Sequence, residues 1–459
     1  MHTSTRTISG LLLCGLISLT PLAAQTETPS AGAREPEVPT QEKVAGWLRG
    51  GGDKRQQAML QIRTLGYDDL VRPAAKYLLD SKDPYDHRAV LKMMHMYGAD
   101  LEQHLPDWYK FVDLYIDRDK PVDILRDCID LAAFWKEHRL IHGIARLAVH
   151  PRQAVREKAF AAMVTMENDQ LIPVLVRLLN HKRPIYRIYA LDALVNFSDK
   201  RIADKVSALF DDTSKSVRIY AIKGYLEQPE SSENSIIRLF RTDPSPEVRR
   251  RVVEVIGNRR WGRHRGVVHR AISDGSPLVR EAGLDAARRL GDGSSARSVS
   301  RQLQSESEKH LKLKSIDLLM ALDRSGGGDG LQARLRRDED DEVRRRAAVA
   351  IGILESRSSL DALHSALGSD TSERVRLEAA GSIGIIGRKD SRYTLLQSVE
   401  NRQETYAVRS AALVSLMSIF DTDSLGDLRR VQGRMVEDEF ERHVAEAIHR
   451  LERKLAYKS

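Results

Sequence analysis

A cationic side chain returns along this chain at Arg156, Arg187, Arg218, Arg249 and Arg280, then at Lys312, Arg344, Arg376 and Arg409. The intervals are 31 residues four times, 32 three times and 33 once. Self-similarity at a fixed period of this size is the mark of a stacked array, because one unit of about 30 residues cannot bury an apolar face alone. Most of the cations follow an apolar residue, as in Ala-Val-Arg at 154–156, Ser-Val-Arg at 216–218 and Glu-Val-Arg at 247–249 and 342–344. With 459 residues the chain has the length of about three ordinary domains. A repeat array escapes that rule, since each unit contacts only its neighbours. One long solenoid is therefore expected.

Residues 150–181 show the unit. Val155, Ala159, Ala162, Met163 and Met166 share one helical stripe, and after Asn168-Asp169 a second is made by Leu171, Val174, Leu175, Leu178 and Leu179. Pro173 falls in the first turn of the second helix, where a missing N–H costs nothing. Three residues after each anchor cation comes a small or β-branched residue: Ala159, Ala190, Ala221, Val252, Gly283, Ser315, Ala347, Ala379 and Ala412. Close helix approach requires that. Six residues before the anchor stands Asp212, Asp243, Asp274, Asp338 or Asp370. An acid there favours the free N–H groups of the helix that follows, and it is placed to meet an arginine of its own or an adjoining repeat.

This D-x-x-x-x-V-R-x-x-A hairpin resembles the HEAT family over roughly 150–421, and its period is similar to the short HEAT-like units of phycobilisome-lyase-type proteins. The resemblance implies an all-α, right-handed α-solenoid of about twelve stacked helical hairpins, with the Val-Arg helix lining the concave side and an Asp–Arg ladder between repeats. The Lys312 repeat departs from the motif, with Leu311-Lys312 and no aspartate upstream, so the ladder is expected to be interrupted there. Arg55, Arg88 and Arg126 mark three degenerate units over 42–149, with an insertion around Leu101–Asp107. Phe440-Glu441 takes the last Val-Arg slot, so 422–459 reads as a terminal cap. Packed helices about 8 to 10 Å apart would make a rod on the order of 100 Å long.

The first 24 residues stand apart. Arg6, an uncharged apolar run from Ile8 to Leu19 and Leu22-Ala23-Ala24 read as a secretory signal cleaved near Ala24, too short to span a membrane. Leu13 before Cys14 argues against a lipid anchor. Residues 25–41 hold three prolines and no large apolar side chain but Val38, and read as a disordered tether. Export to the periplasm is expected, with secretion as the alternative and no stable membrane span in the mature chain. Beyond the signal Cys128 is the only cysteine, so stability rests on packing rather than a disulfide.

Two surfaces carry the binding expectations. The position two residues after the anchor varies, as a binding face should, and gives a track of Tyr189, Tyr220 and Arg251. Tyr and Arg are enriched at interface hot spots. The track is expected to bind another protein of the cell envelope. Residues 238–301 carry fifteen arginines against seven acids, a net of +8 that equals the net charge of the whole chain. Arg259, Arg260, Arg263 and Arg265 flank Trp261 in the turn at 258–266, and the stretch 258–270 is the alternative site, for an anionic glycan or nucleic acid. The competing reading is that Arg259 and Arg260 cap a helix C-terminus and the rest is solvated.

Chemistry is not legible. There is no His-Glu dipeptide for a HEAT-like di-iron site. His264 and His269 are five apart rather than four, so they do not share a helical face. Met93, Met94 and Met96 around His95 read as core filling rather than a copper site. Gly50-Gly51-Gly52 and Gly326-Gly327-Gly328 lack phosphate-loop spacing and read as turns. Asp338–Glu342 lacks the alternating order of a calcium loop. No enzyme, cofactor or metal is expected.

Overall fold

The structure is a computed structural model and describes residues 38–64, 68–97, 106–117, 119–322, 326–419, 422–435 and 439–456. The expected leader at 1–24, the tether up to residue 37 and most of the insertion at 101–107 lie outside them. Among the described residues the fold is all-helical, with 26 α-helices and no strand. No helix is long and apolar enough to cross a membrane. The chain divides into two units, one ending at Trp108 and one running from Tyr109 onward.

In the first unit, helices Gln41–Arg49, Gly52–Thr64, Val71–Leu79 and Pro84–Tyr97 enclose Val44, Leu48, Ile62, Val71, Leu78, Val90, Met93 and Met94. The two methionines are core filling. One ion pair of this unit joins Arg49 and Asp86. Arg49 grips the buried Asp86 with two bonds of 2.6 and 2.8 Å, and that hydrogen bond holds the Asp86 carboxyl below the usual range. Arg55 donates to the Leu48 carbonyl at 2.7 Å.

The second unit is the repeat solenoid. Each anchor sits in the first turn of a longer helix, such as Lys215–Leu226, Pro246–Asn258 or Asp341–Ile353. A shorter helix follows, such as Glu233–Thr242, Arg265–Ile272 or Leu360–Ser369. Equivalent long helices pack on one another and on the short helix that precedes each of them. All nine small residues three places after the anchors are buried between them. The long helices close on a left-handed corner eleven residues after the anchor, at Glu167, Arg260, Gly291, Glu355 and Gly387. Lys136 has the same conformation. That corrects the register upstream: the anchor slot of helix Val122–Phe134 holds buried Leu125, whereas Arg126 is exposed. Cys128 then takes the small core position, fully buried, and not a surface place two residues past the anchor.

The ladder between repeats is continuous from Arg187 to Glu404. Each guanidinium reaches back six residues to a carbonyl of its own turn and forward to the acid that opens the next repeat. Arg218 donates to the Asp212 carbonyl at 2.7 Å and to both Asp243 oxygens at 2.7 and 2.8 Å. Arg187 meets Asp212, Arg249 meets Asp274, and Arg344 meets Asp370 in the same way. The acid in turn accepts the backbone N–H two residues on, as Asp243 does from Ser245 at 2.9 Å. It therefore ties the turn before the helix and leaves the first-turn N–H groups to others. Glu306 and Glu404 replace aspartate opposite Arg280 and Arg376.

The expected interruption at Lys312 does not occur. Lys312 holds Asp338 at 2.8 Å, and Arg334 from the following helix adds a second bond to Asp338 at 3.0 Å. At the two ends of the array an aromatic ring stands in the valine slot that follows the anchor. Arg156 lies over Tyr186 at 5.5 Å and Arg409 over Phe440 at 4.5 Å. His150 and His181 fill the acid's place in the first two turns, their Nδ1 atoms accepting the Arg152 and Arg183 amides at 3.1 Å.

Candidate functional site

Because the ladder occupies the anchors and their acids, ligand recognition is left to the outer stripes of the two helix rows. On the long helices the places two, five and nine after the anchor share one stripe. Along it, the cation at the second place pairs with the acid at the fifth place of the preceding repeat. Lys158 meets Asp130 at 2.7 Å, Lys314 meets Asp285 at 2.9 Å and Arg346 meets Asp317 at 3.0 Å. Much of the stripe's charge is thus neutralised within the array.

The expected track lies on this stripe, with its members in different states. Tyr189 packs its ring 5.0 Å from Phe160 and donates to Glu157 at 3.0 Å. Burial, then the Glu157 bond, pushes its phenol above the usual range. Tyr220 is 38% exposed, and Arg251 reaches only Glu254 of its own helix, at 3.5 Å. Tyr220 therefore offers more surface than Tyr189. Further along the same stripe are Ile353 and Ile385, one repeat apart and 51% and 60% exposed, followed by Val414 at 66%. Half-buried Val349, Gly381 and Ala411 lie on the same stripe. This apolar strip escaped the sequence reading, which followed the second place alone; the ninth place, held by the two isoleucines, carries the signal.

The arginine turn is divided rather than gathered. Arg259 bonds Glu227 of the preceding repeat at 2.8 Å. Arg263 and His264 both hold Glu233, at 2.6 and 2.7 Å, and the Arg263 bond draws its carboxyl below the ordinary range. Trp261 stands edge-on to His264 with ring centres 5.9 Å apart. Arg260 forms the left-handed corner, with φ 53°. It and Arg265 are exposed, and among the described residues neither pairs with a carboxylate.

The remaining sequence candidates resolve into packing. His269 bonds Asp292 at 2.8 Å, so the two histidines serve different carboxylates. Asp340 caps the amide of Val343 and pairs with Lys309, and Glu342 pairs with Arg345. Among the described residues no group of three or more His, Cys, Asp or Glu is placed to hold a metal ion. Both glycine runs extend into helices, which begin at Gly52 and Gly328, and so are only partly turns. Gly330 is dictated by a close approach: a Cβ there would lie 2.4 Å from the Ser300 carbonyl oxygen, and its amide bonds the Ser300 hydroxyl at 2.9 Å.

A stacked array of helical hairpins with one cation rung per repeat is an α-solenoid. The family model described as HEAT repeats matches residues 234–319 and 328–417. Among solved structures, Kap121p bound to Ste12p is 14% identical, with 89% of this chain and 48% of that chain covered and a TM-score of 0.43. Kap121p bound to Pho4p is 13% identical, with 88% and 48% covered and a TM-score of 0.43. The Kap95:Nup1 complex is 13% identical, with 89% and 65% covered and a TM-score of 0.42. The chain spans about half the length of the Kap121p chains it matches. No curated protein matches it.

Proposed function

We propose that the whole second unit is a HEAT-type, non-enzymatic scaffold that holds a protein partner along the outer stripe of its long helices. The supporting observation is the exposed row of Ile353, Ile385 and Val414. Apolar side chains grouped on a face and rimmed by paired charges are the usual mark of a protein contact. The occupant is a segment of another protein that lays a row of apolar side chains against successive repeats, with Tyr189, Tyr220 and Arg251 extending the contact toward the N-terminal repeats. The apolar run at 8–19 with Ala24 supports an exported, periplasmic setting, so the partner is an envelope protein. The period of 31 to 33 residues supports kinship with the short-repeat subgroup.

The test is crosslinked capture from envelope fractions with the parent chain, an Ile353→Asp/Ile385→Asp variant and a Tyr220→Ala/Arg251→Ala variant. A single protein retained at high salt by the parent and lost from the first variant supports the reading. Retention by both variants would sink it.

A further inference from the structure

The short helices carry a different surface. Helices Arg265–Ile272 and Ala296–Ser305 contain no acidic residue, Glu233–Thr242 contains only Glu233, held by Arg263 and His264, and Gly328–Arg337 contains only Asp329. On the first three of these consecutive helices Arg241, Arg265, Arg270, Arg297 and Arg301 are exposed, and among the described residues none has a carboxylate partner. The long-helix stripe differs, since there Lys158, Lys314 and Arg346 are paired across repeats. Arg270 and Arg301 are 31 residues apart, one repeat, and Arg265 and Arg297 are 32 apart. Neighbouring helices pack at about 8 to 10 Å, so guanidinium groups recur along the row at about that spacing.

The row runs into a cleft of about 530 Å³ between helices Gly328–Arg337 and Leu360–Ser369. Arg336 and Arg337 line it with Ser365, Ser369 and Thr371. Its two acids are already taken, Asp338 by Lys312 and Arg334 and Asp370 by Arg344, so the cleft offers unspent positive charge and hydroxyl groups.

What the row lacks defines the ligand. None of the large exposed apolar or aromatic side chains lies on these four helices. The four helices themselves carry no exposed Phe, Tyr or Trp ring on which a nucleobase would stack and no exposed apolar anchor for a protein hot spot. Recognition by guanidinium forks alone, in single file, suits a linear chain whose only strong features are regularly placed anionic groups. We propose that the short-helix face from Arg241 to Arg337 binds an anionic polysaccharide, carboxylated or sulfated, along four repeats. It uses the opposite helix row from the protein contact, so either site can fail without the other.

Full-length protein is titrated with fluorescent heparin and polygalacturonate oligomers, a DNA duplex and polyglutamate, matched in total charge, at low and high salt. One of the glycans is expected to bind most tightly, with affinity falling steeply as salt rises. Arg270→Glu with Arg301→Glu should weaken it by roughly ten-fold or more, while Arg453→Glu with Lys454→Glu, the same charge change on the C-terminal helix, should change it less than about two-fold. All four side chains are exposed, so the thermal midpoint should hold in both variants. Absence of saturable glycan binding, equal losses in the two variants, or tighter binding of the duplex or of polyglutamate each overturns the proposal.

Discussion

Arg334 and Lys312 share one rung of the ladder: both hold the buried Asp338, at 3.0 and 2.8 Å, and Arg334 alone reaches the Glu306 carbonyl, at 2.9 Å. In the arginine repeats that carbonyl, six residues before the anchor, is served by the anchor itself. An ammonium has no planar fork and cannot span both acceptors, so the guanidinium of the next helix supplies the missing donors. Removing it as Arg334→Ala should lower stability by about 2 to 3 kcal/mol, because the Leu303 and Glu306 carbonyls lose their donor. Adding Lys312→Arg in that background should recover more than half the loss. Urea midpoints of the single and double variants decide it.

Breaking a rung outright costs more. Asp243 retains only 3% of its side-chain exposure, so Arg218→Ala leaves a charge in a dry site. A loss of about 3 to 5 kcal/mol is expected. Replacing Arg218 and Asp243 together by apolar residues should restore a large part of it, since the desolvated charge is then gone. Calorimetry on the single and paired variants would show whether the rungs behave this way.

The corner residues give a prediction of opposite sign. Gly291 and Glu355 occupy the same left-handed place, at φ 61° and 48°. A Cβ is disfavoured there, so Gly291→Ala should destabilise by about 1 kcal/mol and Glu355→Gly should stabilise by up to about 1 kcal/mol. Equal and like-signed shifts in the two variants would contradict the corner assignment.

Acid should loosen the array within a defined window. Burial pushes the Asp274, Glu306, Asp338 and Glu404 carboxyls up, but the bonds from Arg249, Arg280, Lys312 and Arg376, the backbone N–H bonds of the turn and the nearby positive charge together outweigh it and leave all four below the ordinary carboxylate range. The folded state then binds protons more weakly than the unfolded one. Their stabilisation is complete above about pH 5 and declines as pH falls through about 4 and below. Denaturant midpoints from pH 7 to 3 should fall in that lower range, and Asp274→Asn should flatten the decline while lowering the plateau.

Cys128 is fully enclosed, and burial followed by the neighbouring Asp127 charge drives its thiol well above the usual range. A colourless disulfide reagent should find no reactive thiol at this position in native protein at pH 8 and one upon unfolding. Rapid native labelling at Cys128 would show that helix Val122–Phe134 is not packed as described.

What a 31-residue period determines is local: two amphipathic stripes, a small residue where helices close, and a cation in a fixed turn. Those depend on spacing within one repeat, and they were legible wherever the Val-Arg-x-x-Ala pattern was intact. The anchor slot at Leu125 was not, because an arginine one place later imitated the motif and only burial of Ile124, Leu125 and Cys128 sets the phase. Pairings that cross repeats were decided by the tertiary structure. The offset between hairpins fixes whether an acid meets its own arginine or the one 25 residues earlier, as Asp243 meets Arg218, and a chain pattern does not encode that offset. The same offset brings Arg334 to the Lys312 rung and ties Tyr189 to Glu157. It also leaves Ile353, Ile385 and the short-helix arginines facing solvent, because exposure depends on which neighbour stacks where and not on residue type.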